Sequence, residues 1–252
     1  MNPSDETQTH LVLIADDNDF NRDGLALSLR GHGYQTVEAG DGATAYDLAV
    51  AHHPGSAVVD IVMPETPGGL AQMSRSVGVD LARRLKALDP AIGIVLFSAY
   101  EDRGGEIWQL IREGVHGLAY VLKGSRPERL RQALDDARAG HVILDGDAAV
   151  GKPQLVQELR DRLLPLERPW VERAVRLMPT LSPRELEVVR WLAASHNTQG
   201  LIESLGISQK TVEHHVSSLY DKLGLSDADT TAPTLRKATL LAKACMLYDL
   251  TR

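Results

Sequence analysis

Between residues 11 and 138 the chain alternates two hydrophobic patterns. Leu11–Ala15, Ala57–Val59, Ile94–Phe97 and Tyr120–Leu122 are short, nearly continuous apolar runs, as expected of strands buried on both faces. Tyr34–Ala39 supplies a further strand. Between the strands, apolar positions recur at helical spacing, which predicts helices over Asn21–Arg30, Gly42–Ala51, Val79–Leu88, Gly105–Glu113 and Pro127–Arg138. Gly31 and Gly33 close the first helix, Asp41 caps the second, and Pro90 halts the third. Strands separated by helices pair in parallel through right-handed crossovers, so the pattern predicts an α/β doubly wound, five-stranded parallel sheet.

The pattern then changes. Residues 140–153 (GHVILDGDAAVGKP) read as a linker with one short apolar patch. Gln154–Leu164 and Trp170–Met178 read as helices separated by prolines. Leu155, Val156, Leu159, Leu163 and Leu164 form an apolar stripe that suits intramolecular packing, with a dimer or interdomain contact as the alternative. Ser182-Pro183-Arg184-Glu185 has the form of a capping box with proline at the first helical position. Leu186, Val189, Trp191 and Leu192 mark one face of the helix that follows. Leu201–Leu205 gives a short second helix ended by Gly206, and Ser208 caps a third that runs to Leu223. A short helix, a glycine turn and a longer helix follow the helix-turn-helix plan, an all-α unit. The domain reading is therefore 1–139, a linker with helices over 140–180, and 181–252.

Candidate chemistry collects at the strand ends. Asp16 and Asp17 follow the first strand, Asp60 the third, Ser98 the fourth and Lys123 the fifth. The C-terminal edge of an open parallel sheet is where ligands bind. Three carboxylates there repel one another; a divalent cation relieves this, and hard oxygen ligands suit Mg²⁺. A hydroxyl and an ammonium beside a metal-bound carboxylate make a place to hold a phosphoryl group.

Composition narrows the setting. The 252 residues are 43% apolar and 24% charged, ordinary for globular protein. No apolar run approaches the roughly 20 residues of a membrane helix, and the polar MNPSDETQTH is no signal peptide. A single cysteine, Cys245, leaves no internal disulfide and suits a reducing cytoplasm; its apolar helical setting suits burial. The net charge of −7 lies in residues 1–140, with 13 Lys+Arg against 20 Asp+Glu, whereas residues 181–252 balance at 8 and 8. The acidic half fits a cation site; the neutral C-terminal unit lacks the usual basic footprint of DNA binding.

The segments LVLIADDN, VVDIVMP, VLFSAY and AYVLKG, in this order and each at a strand end, resemble the receiver domain of bacterial two-component response regulators, a flavodoxin-like fold. The C-terminal stretch, with Ser-Pro-Arg-Glu, Gly-Ile-Ser-x-Lys-Thr-Val-x-x-His-Val and Lys-Leu-Gly, resembles the DNA-binding domain of the LuxR/NarL type. Together they imply a phosphorylation-controlled transcription regulator rather than an enzyme. By the resemblance, Asp60 takes a phosphoryl group from a sensor histidine kinase. Asp17, Asp60 and the main-chain carbonyl of Val62 hold Mg²⁺, with Asp16 acting through water. Ser98 and Lys123 bind phosphoryl oxygens, and Tyr120 occupies an aromatic switch position, turning inward as Ser98 is drawn away. Gln209 to about Tyr220 becomes the recognition helix for double-stranded DNA. Val212, Val216, Leu219 and Leu223 face the core, Lys210 and Lys222 contact phosphates, and Gln209, Glu213 and His214 reach base edges. Thr211, His215 and Ser218 share the exposed side. A homodimer is the active form, because such helices read paired half-sites.

Two features depart from the families' patterns. The loop ETPGGLAQMSRSVG after Met63-Pro64 is long, either a tolerated insertion or a lid over Asp60. The step from Asn197 to Leu205 carries an extra residue, with Gly200 inside it. Two other readings compete. A partner or ligand could switch the same two domains without phosphorylation. Asp17-Asn18-Asp19 also has the Asp-x-Asp spacing of haloacid-dehalogenase-type phosphatases, but that reading leaves Asp60 and the helix-turn-helix unused.

Overall fold

The computed structural model describes residues 10–72, 75–99, 103–195, 209–228 and 235–252. Its sheet is parallel and follows the order β2-β1-β3-β4-β5-β6. The first five strands are β1 (Leu11–Ala15), β2 (Gln35–Ala39), β3 (Ser56–Asp60), β4 (Gly93–Ser98) and β5 (Leu118–Leu122). Helices α1 (Asp19–Arg30), α2 (Gly42–His52), α3 (Val77–Leu88), α4 (Gly104–Arg112) and α5 (Pro127–Arg138) connect or follow them. Local chemistry sets the boundaries, at Asp41 as the sequence implies and at Asn18 beyond it. Asn18 accepts from the Asn21 amide to cap α1, and Asp41 accepts from both the amide and the hydroxyl of Thr44 to cap α2.

The sheet has six strands where five were expected. Val142–Leu144, the apolar patch of the presumed linker, forms β6 and pairs in parallel with β5, Leu118 opposite Val142 and Tyr120 opposite Leu144. A three-residue run is too short to show a strand period, and only the neighbouring edge of β5 gives it partners. A short helix α6 (Gly146–Val150) follows, then α7 (Lys152–Asp161) and α8 (Arg168–Leu177). The tether is anchored: the Trp108 indole donates to the Ala148 carbonyl at 3.2 Å, and Arg112 pairs with Glu158 at 2.6 Å.

Strand side chains alternate between two cores. Val12, Ile14, Val58, Val95 and Val121 face α1 and α5, against Leu29, Leu130 and Leu134. Leu13, Val59, Ile94, Leu96 and Tyr120 face the other way, and that core runs on without a break into the C-terminal helices. Those are α9 (Pro183–Ser195), α10 (Gln209–Lys222) and α11 (Lys237–Leu250). Helix α11 packs on α7, α8, α9 and β6 and buries Cys245. Val212, Leu219 and Leu223 of α10 are buried and Val216 packs partly buried beside them, as the helical spacing required. Of the apolar stripe on α7, Leu155, Val156 and Leu163 are buried, whereas Leu164 lies past the helix end and is exposed. The proposed short helix Leu201–Leu205 and the Asn197–Leu205 step with Gly200 lie outside the described residues.

Candidate functional site

Parallel pairing puts the ends of β1, β3, β4 and β5 on one edge. Ala15 lies opposite Val59, Asp60 opposite Phe97, and Ser98 opposite Leu122. The next residues of β1 and β5 are Asp16 and Lys123. The Lys123 amide donates to the Ser98 carbonyl at 2.6 Å, tying the last two ends together. The structure thus gathers Asp16, Asp17, Asp60, Ser98 and Lys123 as the sequence suggested.

Lys123 is the hub. Its Nζ donates to Asp60 Oδ2 at 2.6 Å and to Asp16 Oδ2 at 2.7 Å. Asp16 and Asp60 are only 1% and 8% exposed, while Asp17 lies open to solvent. Asp16 is held on its other side by the Asn18 amide at 2.9 Å, and Arg22 donates to its carbonyl at 2.7 Å. Asp60 Oδ1 accepts from the Val62 amide at 3.3 Å. Asn18 and Arg22 were not singled out from sequence; the only hint was their position beside an acidic pair.

The electrostatics follow from crowding. Burial pushes the Asp60 carboxyl above the ordinary range, since desolvation outweighs its bond to Lys123, and the charge of Asp16 adds to the rise. Burial and Asp16 likewise raise Asp17. Burial works against the Lys123 ammonium, but its two carboxylate partners more than offset this and hold it above an ordinary lysine. The three carboxylates place oxygens within 4.8 Å of one another. An all-oxygen set with one solvent-open member and excess negative charge fits Mg²⁺, which keeps several waters.

Gly78, at the start of α3, lies against the end of β3. A Cβ there would sit 2.0 Å from the Asp60 carbonyl oxygen, so only glycine lets the helix approach. The long loop before it is pinned by an Arg75–Glu65 ion pair at 2.7 Å and by the Gly42 and Ala43 amides, which donate to the carbonyls of Pro64 and Glu65.

Two placements bear on the sequence expectations. Tyr120 is fully buried, on the same core as Ile107, Leu110, Leu144 and Ala148. Tyr120 stands inward in this structure, and β6 and α6, unforeseen from sequence, pack beside its strand. The phosphatase reading also fails locally, because Asp19 begins α1 and pairs with Arg22, facing solvent instead of the acidic group.

On α10, Lys210, Glu213, His214 and His215 are exposed and Ser218 is partly exposed. Gln209 and Thr211 begin the helix, but their side chains lie outside the described set. Lys222 is exposed yet ion-paired with Glu185, the capping-box residue of α9. Glu185 also accepts from the Ser182 amide and hydroxyl at 2.9 Å each, closing the box the sequence implied. Lys222 and then Ser182 hold the Glu185 carboxyl well below its ordinary range.

Residues 12–135 match the response regulator receiver domain family, and residues 179–231 match the luxR family of bacterial regulatory proteins. A probable transcriptional regulatory protein NarL of Mycobacterium tuberculosis (strain ATCC 25618 / H37Rv) is 32% identical over 233 residues, 91% of this chain and 95% of the relative. This chain is a response regulator of the NarL type. The oxygen regulatory protein NreC of Staphylococcus carnosus (strain TM300) is 26% identical over 85% of the chain and 91% of its own length. A solved RcsB–DNA complex aligns at 20% identity and a TM-score of 0.44, over 89% of this chain and 99% of that one. A NarL-type regulator joins a two-component receiver to a DNA-binding output domain that regulates transcription. No helix among the described residues is long and apolar enough to cross a membrane.

Proposed function

We propose that Asp60 is the phosphoacceptor of this regulator and that a sensor histidine kinase is its donor. The observation that carries this reading is Lys123 Nζ bridging the buried carboxylates of Asp16 and Asp60 at 2.7 and 2.6 Å. A carboxylate oxygen of Asp60 attacks the phosphorus of the kinase's phosphohistidine. The new P–O bond forms as the P–N bond breaks, and the imidazole nitrogen leaves with the electron pair. Lys123 then follows the charge to a phosphoryl oxygen, and Ser98, at the neighbouring strand end, offers its hydroxyl to another. Asp17 and Asp60, the Val62 carbonyl and, through water, Asp16 would hold Mg²⁺, which supplies charge neutralisation for the phosphoryl oxygens when bound.

The output is DNA binding by α10 in the major groove, as a homodimer reading two half-sites. Lys210 contacts phosphate, and Glu213 and His214 face the base edges. Ser218 and Lys222 complete this face, and Gln209 and Thr211 belong to the proposed DNA-binding set. Tyr120 reports the state of Ser98 from inside the core rather than by swinging in from solvent.

Acetyl phosphate with Mg²⁺ tests the acceptor by intact mass. One phosphoryl group is expected on the wild type and none on Asp60→Asn. Uptake by Asp60→Asn at the wild-type rate would overturn the assignment. Omitting Mg²⁺, or replacing Asp17 by Ala, should slow uptake; unchanged rates would remove Asp17 from the metal set.

A further inference from the structure

A cavity of about 330 Å³, distant from the acidic site, opens where α4 meets α7 and α11. Its volume falls in the range of about 300–1,000 Å³ typical of small-molecule sites, which favour domain seams. The floor is apolar: Ile111, Leu163 and Met246 are buried, and Leu159 and Ala242 are partly so. The mouth is cationic. Arg112 is shared with Glu158, Lys243 is shared with Glu167, and Arg162 makes no ion pair among the described residues. The lining carboxylate, Glu113, is bound by Arg83 at 2.8 Å. An apolar floor beneath an exposed guanidinium matches a molecule with an apolar body and an anionic head.

We propose that this cavity binds a small amphipathic carboxylate, seated between the receiver, the tether and the C-terminal helix. Its head meets Arg162 at the mouth and competes with Glu158 for Arg112. Its body covers the floor. A molecule there touches α4, α7 and α11 together, so its occupancy bears on how the output domain sits against the receiver. That makes it a second input, separate from Asp60.

The test is calorimetric titration of the full chain with octanoate below its micellar range, with 1-octanol as the neutral control. Octanoate should saturate at one molecule per chain. Ala242→Trp or Leu159→Trp fills the cavity and should abolish binding while thermal unfolding stays cooperative. Arg162→Glu lies at an exposed position, so it decides the question if both tryptophan variants misfold. It should weaken octanoate by roughly tenfold or more, as expected for losing one charge-assisted hydrogen bond, and leave 1-octanol unchanged. Asp60→Asn should bind as the wild type does, which separates this site from the phosphoacceptor. No saturable octanoate binding, binding that survives in a folded tryptophan variant, or an Arg162→Glu variant with wild-type affinity overturns the proposal.

Discussion

The ion pair between Arg190 and Asp249 permits a sharp test of how the output domain is held together. Arg190 of α9 donates to Asp249 of α11 through Nη2 at 2.8 Å and Nε at 3.2 Å. The residues are 4% and 6% exposed. Arg190 also packs on Gly140 at the end of α5: a Cβ added to Gly140, whose φ is +84°, would lie 3.0 Å from the Arg190 Cβ. The pair therefore joins two output helices at the place where they meet the receiver. Replacing one member leaves the other charge buried without its partner, a cost of about 3–5 kcal/mol. A whole domain has only about 5–15 kcal/mol of stability. Arg190→Met and Asp249→Leu should each lower the urea midpoint of the output transition by a large fraction, read by the fluorescence of Trp170 and Trp191. The double variant removes both charges, and its stability should return to within about 1–2 kcal/mol of the wild type, because apolar replacement of a buried pair is close to neutral. Single variants costing less than about 1 kcal/mol, or a double variant whose cost equals the sum of the singles, would refute the reasoning, since additivity means the charges do not depend on each other.

Other outcomes follow from neighbouring details. Burial and then Arg190 depress the His141 imidazole, with Arg252 acting the same way and Asp249 and Asp136 opposing. The unfolded chain then binds the extra proton more readily, so this contribution to stability is complete above about pH 6.5 and is lost as pH falls through the depressed folded value. The urea midpoint should drop on acidification more in wild type than in His141→Gln, and equal drops would sink the idea. Gly78→Ala should cost about 1–3 kcal/mol by overpacking against the Asp60 backbone and slow acetyl phosphate uptake; wild-type stability and rate would mean α3 yields freely. Lys210→Ala should flatten the log-log salt dependence of DNA binding by about 0.9. Lys222→Ala should do less, because Lys222 must first leave Glu185; equal slopes would mean that pair dissolves on DNA.

Most elements were legible because their signals are local and redundant. Near-continuous apolar runs, the Asp41 cap and the Ser182–Glu185 box each fixed an element by chemistry within a few residues. The acidic site was legible because alternating strands and helices make the strands parallel, which puts five residues scattered along 108 positions on one edge of the sheet. What escaped depended on tertiary context. Val142–Leu144 becomes a strand only because β5 offers an unpaired edge. Tyr120 lies between Leu96 of β4 and Leu144 of that strand, a neighbour its own sequence does not reveal. The pairing of Lys222 with Glu185 spans two helices, and nothing in either helix's period announces it. Nothing in the sequence marks Arg190 and Asp249 as partners, which meet only where α9 packs on α11.

The sixth strand also bears on how this protein can be taken apart. A receiver fragment ending at residue 139 would strip β6 from β5 and leave a row of unpaired backbone groups beside Leu118, Ala119 and Tyr120. Such an apolar edge recruits the strands of other chains. Chimeras that graft a different output module onto this receiver should therefore be joined beyond Leu144, and preferably beyond the Ala148 carbonyl that Trp108 grips. Fusions cut earlier should self-associate through β5, and their aggregation would then report an exposed seam rather than a signalling state.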